Sequence, residues 1–124
     1  MSVIVLEGRP RWVPELRRRL VEPPIPVRAC RSLSDAREAA RRSALPCVML
    51  LDLSVTPEAC LAWMGERTRD DRRDAVVTIA PPGVVDLEWI MRDLGIGAVL
   101  SDTSTADEVA RVCRRQWQAV RETR

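Results

Sequence analysis

Residues 47–52 read CVMLLD, an unbroken apolar run that ends in an acid. A run without polar alternation is typical of a central strand in a parallel sheet, because helices cover both of its faces. Further short apolar runs occur at residues 3–6, 25–30, 75–80 and 98–100. Each run is followed by helical spacing or a helix-start signal. This alternation predicts an α/β fold with five strands and helices on both faces of the sheet.

Apolar spacing and capping residues predict the helices between these strands. The predicted segments are residues 12–22, 32–44, 56–65, 87–94 and 105–120. Pro26 lies in the second apolar run and cannot donate to a ladder, so the second strand belongs at an edge of the sheet. The doubly wound order 2-1-3-4-5 satisfies this constraint and covers the third strand on both sides.

The length and composition indicate one cytoplasmic domain. The 124 residues fit a single domain, which we assign to residues 1–120 with a C-terminal tail at 121–124. No apolar run approaches the ~20 residues that cross a membrane. The first apolar run meets Glu7 too soon for a signal peptide. We therefore expect no membrane association.

Missing residue types exclude several classes of chemistry. All 20 basic residues are arginine, and the sequence contains no Lys, His, Tyr, Phe or Asn. Without histidine and lysine there is no imidazole base, Schiff base or P-loop lysine. The four cysteines show no C-x-x-C spacing, which favours buried, reduced thiols over a zinc or redox site. The net charge of +2 is too small for a typical nucleic-acid-binding domain.

Two acids stand where a ligand site is expected in this fold. Glu7 follows the first apolar run and Asp52 ends the third. Ligands of doubly wound sheets bind beyond the carboxyl ends of the strands, at the point where the strand order reverses. Glu7 and Asp52 therefore predict an acidic pocket between the first and third strands.

Three segments resemble the receiver domains of response regulators, the CheY-like family. They are LEGRP at 6–10, MLLDLSVTP at 49–57 and LGIGAVL at 94–100. The resemblance covers essentially the whole chain and implies that Asp52 is equivalent to the phosphoacceptor. In active receivers an acidic pair at the first strand holds Mg²⁺. A Thr or Ser ends the fourth strand there, and a Lys ends the fifth.

The sequence departs from this family pattern at four positions. Gly8 replaces the second acid, and Ile79 falls where the hydroxyl residue is expected. Thr78 lies one position earlier, which strand alternation places on the other face. Asp102 stands at the lysine position, and Thr103 where a proline usually follows.

These departures predict a pseudo-receiver, a degenerate receiver that is not an enzyme and acts by binding protein partners. Phosphoryl transfer relies on positive charge around the transferring oxygens, and Asp102 has the opposite charge. Loss of the second acid weakens a Mg²⁺ site. We therefore expect no cofactor and no metal; any bound metal would use Glu7 and Asp52.

The resemblance implies a signalling surface made of the fourth helix, fifth strand and fifth helix. It also implies this surface as the site at which two copies of the domain form a homodimer. Trp89 lies off the apolar stripe of the fourth helix, and Trp117 lies at the flank of the stripe of the fifth. Both are candidate interface residues, because aromatic side chains anchor interfaces. The alternative for each is packing at the edge of the core.

Three other functions compete with this hypothesis. The first is an active receiver that accepts phosphate on Asp52 in the presence of Mg²⁺. The second is a carboxylate site for Ca²⁺ or Mn²⁺ built from Glu7, Asp52 and Asp102. The third is an arginine-rich nucleic-acid-binding domain, which requires strongly salt-dependent binding.

Overall fold

The computed structural model describes residues 2–67 and 71–122 of the chain. Five strands alternate with five α-helices, and short 3₁₀ turns lie at Asp71–Arg73 and Val85–Leu87. The elements in chain order are β1 (Val3–Leu6), α1 (Trp12–Arg19), β2 (Val27–Cys30), α2 (Leu33–Arg42), β3 (Val48–Asp52), α3 (Pro57–Glu66), β4 (Ala75–Ala80), α4 (Glu88–Asp93), β5 (Ala98–Ser101) and α5 (Ala106–Glu122).

The strands form one parallel sheet in the order β2-β1-β3-β4-β5, which confirms the predicted α/β architecture. Strand β2 lies at an edge as predicted, but it begins at Val27, one residue after Pro26 and two residues later than the predicted run 25–30. Strand β3 lies between β1 and β4, and its four apolar residues are buried. The unbroken apolar run is thus explained by cover on both faces.

Alternate strand residues pack into two separate core layers, because successive side chains point to opposite faces of a sheet. One layer lies under α2, α3 and α4 and contains Ile4, Leu6, Met49, Leu51, Val76 and Ala80. The other lies under α1 and α5 and contains Val3, Val5, Val48, Leu50, Val77 and Ile79. The four cysteines are buried and free, as predicted, and burial raises the pKa of Cys113 to about 12.

Helix α1 ends at Arg19, three residues before the predicted end at Glu22. Proline at position 23 has no N–H to donate to the carbonyl of Arg19, so no bond of the helical ladder reaches this carbonyl. Arg114 of α5 donates to that carbonyl instead (3.3 Å) and to the carbonyl of Pro23 (3.2 Å). The end of α1 is therefore fixed from another helix.

Two further arginines satisfy helix C-terminal carbonyls. Arg73 donates to the carbonyls of Ala40 (3.0 Å) and Ser43 (2.7 Å) at the end of α2. Arg67 donates to the carbonyl of Leu94 (2.9 Å) after α4. The last four carbonyls of a helix lack intrahelical partners, so these contacts stabilise the helix ends. They also tie the segment between α3 and β4 to two other helices.

Helix α4 is shorter than the predicted segment 87–94. Its first residue is Glu88, and a 3₁₀ turn precedes it. The N–H of Leu94 donates to the carbonyls of Ile90 and Met91 (both 3.1 Å), and Gly95 then reverses the chain at φ +80°. Glycine adopts this left-handed conformation without steric cost, which accounts for the end of the helix.

Asp74, at the start of β4, is a buried carboxyl that predicts a pH dependence of stability. Its Oδ1 accepts a hydrogen bond from the N–H of Cys47 at 2.7 Å. Burial raises the pKa of Asp74, and the bond from Cys47 partly opposes the shift. The folded protein then binds this proton more tightly than the unfolded chain, so stability falls as pH rises from the ordinary pKa towards the raised one.

We expect Asp74→Asn to remove this dependence. The free energy of unfolding of the wild type, relative to Asp74→Asn, should decrease as pH rises above the ordinary aspartate pKa of 3.8. Urea unfolding of both proteins at a series of pH values measures the difference. Asp93→Asn, at an exposed position in α4, is the control. A difference that stays constant or grows with pH contradicts the prediction.

Candidate functional site

The carboxyl ends of β1 and β3 place Glu7 and Asp52 at the same edge of the sheet. Leu6 pairs with Leu51 in the register of these neighbouring strands, and the two acids follow them directly. The predicted meeting of the first and third strands is therefore present. The environments of the two carboxylates nevertheless differ.

The Glu7 side chain caps the N-terminus of α1. Its side chain is 5% exposed, and Oε1 accepts hydrogen bonds from the backbone N–H groups of Arg11 (3.1 Å) and Trp12 (2.9 Å). Oε2 accepts from the N–H of Val13 at 3.0 Å. The Arg11 side chain makes no cap at this helix end. Glu7 thus supplies the acceptors and the negative charge that a helix N-terminus favours.

Asp52 is half-buried and remains partly open to solvent. Its Oδ1 accepts hydrogen bonds from the N–H of Ser54 (3.0 Å) and from its hydroxyl (2.7 Å). Oδ2 has no hydrogen-bond partner among the residues that the structure describes. Asp52 is therefore the more accessible of the two carboxylates.

Gly8 occupies the position of the second acid, and the structure has space there for a side chain. A Cβ atom on Gly8 would lie 3.8 Å from Cγ2 of Val55, an ordinary van der Waals distance. Within the described residues, no three acidic or cysteine side chains come together as potential metal ligands. Glu7, Asp52 and Asp102 therefore do not form the carboxylate triad considered as a metal site.

Strand β4 ends at Ala80, as the apolar run 75–80 predicts, one residue after Ile79. Ile79 pairs with Asp52 and is buried in the core layer under α1 and α5, and β4 continues to Ala80. Thr78 is fully buried, and its hydroxyl donates to Sδ of Met91 at 3.8 Å. The last residue of β4 is Ala80, which has no hydroxyl either.

At the end of β5, Asp102 and Thr103 form a turn held by backbone and hydroxyl contacts. The N–H of Asp102 donates to the carbonyl of Ala80 at 3.2 Å. The hydroxyls of Ser101 and Thr103 lie 2.8 Å apart, and the N–H of Thr103 donates to Oγ of Ser101 at 3.1 Å. A carboxylate therefore follows β5 at the sheet edge where Asp52 also lies.

Arg11 is the cation that joins the loops after β1 and β5. Its guanidinium donates to the backbone carbonyl of Asp102 and lies 4.1 Å from the centre of the Trp12 ring. Sequence reasoning did not single out Arg11, because nothing in the local sequence indicates a contact with a residue 91 positions away. The guanidinium is engaged by a carbonyl and a ring, so it is not a free substitute for lysine.

The two candidate interface tryptophans have different surroundings. Trp89 is 66% exposed on α4. Trp117 is 8% exposed, packs in the core layer under α1 and α5, and has Arg121 4.5 Å from its ring centre. Position 117 lies four residues after Cys113, on the buried stripe of α5. Trp117 is therefore packed in the core, which is the alternative given for it, and it offers little surface to a partner.

Comparison with known proteins identifies the fold. No family model and no curated protein sequence matches the chain. A response regulator receiver domain protein from Clostridium thermocellum superposes with a TM-score of 0.81 at 12% identity, covering 99% of this chain and 98% of that one. This chain has the receiver fold.

Two further receivers show the same similarity. The N-terminal signal receiver domain of a response regulator from Bacteroides fragilis has a TM-score of 0.76 at 17% identity, with 93% and 94% coverage. The beryllofluoride-activated NtrC4 receiver domain dimer has a TM-score of 0.79 at 15% identity, with 96% and 98% coverage. In the described part of this receiver fold, no helix could cross a membrane.

We expect Glu7→Gln to destabilise the fold. The glutamine side chain has the same shape as glutamate but no negative charge. Its amide NH₂ replaces one carboxylate oxygen and would point a donor at a backbone N–H. A lost charge-assisted bond in a buried site costs about 2 kcal/mol. Urea unfolding measures the change, with Glu58→Gln at an exposed position of α3 as control. An effect no larger than that of the control contradicts the capping role.

Proposed function

We propose that this receiver fold is a pseudo-receiver, which acts by binding a protein partner and does not depend on phosphorylation. The observation that carries the proposal is the engagement of Glu7. All three of its hydrogen bonds go to the backbone at the start of α1. A carboxylate used in this way is a poor ligand for Mg²⁺, which demands well-placed oxygens in near-octahedral geometry.

Charge at the sheet edge supports the same proposal. Phosphoryl transfer places negative charge on the transferring oxygens, and catalysis depends on positive groups aimed at them. Asp102 follows β5 where the resemblance implies a lysine, and Ala80 ends β4 without a hydroxyl. Arg11, which reaches this edge, is held by a carbonyl and the Trp12 ring. Asp52 therefore lacks the surroundings of a phosphoacceptor.

The proposed interaction surface consists of α4, β5 and α5. Strand β5 has β4 as its only neighbour in the sheet, and all four of its residues are half-buried. Trp89 adds an exposed aromatic ring on the adjoining helix. We propose a cytoplasmic receiver-like domain over residues 1–120, with a protein partner or a second copy at this surface. The proposed tail, residues 121–124, begins in the last turn of α5, which ends at Glu122.

An active receiver is the second candidate function, and the open Oδ2 of Asp52 favours it. It requires Mg²⁺ and a phosphoryl adduct on this carboxylate. The two functions make opposite predictions for one experiment.

We expect no adduct when the wild type is incubated with acetyl phosphate and Mg²⁺ and its intact mass is measured. A variant that combines Gly8→Asp, Ala80→Thr and Asp102→Lys should gain a phosphoryl group. It restores the second acid, the hydroxyl and the cation, and Gly8 has room for a side chain.

The control is Asp52→Asn in both backgrounds, which should abolish any adduct on this residue. An Asp52-dependent adduct on the wild type contradicts the pseudo-receiver and supports the active receiver. Absence of an adduct from the restored variant, once circular dichroism shows that it is folded, contradicts the claim that these three positions cause the loss.

A further inference from the structure

Arginine side chains lie over three of the four tryptophan rings. Distances from the guanidinium carbon to the ring centre are 4.1 Å for Arg11 and Trp12, 4.5 Å for Arg121 and Trp117, and 5.8 Å for both Arg37 and Arg67 with Trp63. A guanidinium over an aromatic face is attracted by the ring quadrupole and stacks on it as a plane. Each of these rings is also buried.

Trp89 is the exception to this pattern. Its ring is 66% exposed, and no arginine of the described residues lies over it. It borders an open surface groove of about 370 Å³, whose other lining residues are Asp86, Glu88 and Arg92. An exposed tryptophan in a groove is the residue type that most often anchors an interface.

The charged side chains that line this groove, two acids and one arginine, sum to −1, although the chain as a whole carries +2. Asp86 and Glu88 line the groove, and Asp93 ends the same helix. The one arginine of the groove, Arg92, is bound to Oε1 of Glu88 through Nε (3.0 Å) and Nη2 (2.8 Å). An acidic partner would be repelled here, and a purely apolar one would gain nothing from the two acids.

We propose that Trp89, together with Asp86 and Glu88, receives an arginine side chain from a basic segment of a partner protein. The ring supplies the stacking face and Asp86 supplies the main countercharge for the guanidinium, because Glu88 is shared with Arg92. This chain makes the same pairing at its three buried tryptophans, where its own arginines fill the position. The inference rests on the proposed interaction function and names the chemistry of the partner at α4.

The test uses two short peptides that differ only in charge. One is acetyl-Gly-Arg-Gly-Arg-Gly-amide, and the other carries citrulline, an uncharged isostere, at both arginine positions. Each is titrated into the full chain, and the indole N–H resonance of Trp89 is followed by NMR. The arginine peptide should shift this resonance saturably, and Trp89→Leu should weaken its binding about twofold to fivefold. For the variant, which lacks that indole, the backbone amides of α4 report binding.

Two controls make the result specific. Val21→Ala removes the other large exposed apolar side chain and should leave peptide binding unchanged. Asp86→Asn should weaken binding of the arginine peptide and leave the citrulline peptide unaffected. Because Trp89 lies on the surface, Trp89→Leu should keep the wild-type circular dichroism spectrum; Trp89→Phe, which retains a weaker aromatic face, should lie between the two in affinity.

Several results overturn the inference. They are equal binding of the two peptides, unchanged affinity in Trp89→Leu, and no saturable shift of the Trp89 indole. Concentration-dependent self-association that Trp89→Leu abolishes makes a second copy the occupant and also overturns it. Failure here leaves the phosphorylation result intact, and an Asp52 adduct on the wild type overturns the pseudo-receiver without changing the peptide result.

Discussion

The bond between the Glu7 carboxylate and the first turn of α1 is the interaction on which the functional edge of this fold depends. It joins the end of β1 to the helix that follows, and it satisfies three backbone N–H groups with one buried charge. A buried carboxylate without such partners would be costly. In the proposed pseudo-receiver, the contacts that stabilise this loop are also the reason that Glu7 is a poor metal ligand.

Arginine side chains make several kinds of internal contact in this chain, which contains no lysine. Arg73 and Arg114 bind the carbonyls at the ends of α2 and α1, and Arg67 does so after α4. Others stack on buried tryptophan rings. The planar guanidinium suits both tasks, because it presents several donors in fixed directions and a flat face. Many of the arginine side chains thus make contacts within the domain.

The topology followed from the sequence because it depends on local patterns. Five apolar runs, their alternation with helices and the position of Pro26 were sufficient to place every strand. The meeting of Glu7 and Asp52 followed from the ends of two such runs. Helix ends were less accurate: α1 stops at Arg19, three residues before the end predicted from the proline at position 23.

The contacts of the site could not be predicted in the same way. The bond from Arg11 to Asp102 joins distant parts of the chain, so no local pattern indicates it. The burial of Trp117 depends on how α5 packs against the sheet, and the spacing along the helix left this open. Exposure of Trp89, by contrast, agreed with its position off the stripe of α4.

The central claim is that this sheet edge holds no Mg²⁺ site. The most direct measurement is a titration of millimolar Mg²⁺ into the labelled protein, followed through the backbone amide resonances of Arg11, Trp12, Val13 and Ser54. These amides donate to Glu7 and Asp52 and report any change at either carboxylate. The pseudo-receiver predicts no saturable shift. A saturable shift that Asp52→Asn abolishes would show that the edge binds the metal and would contradict the claim.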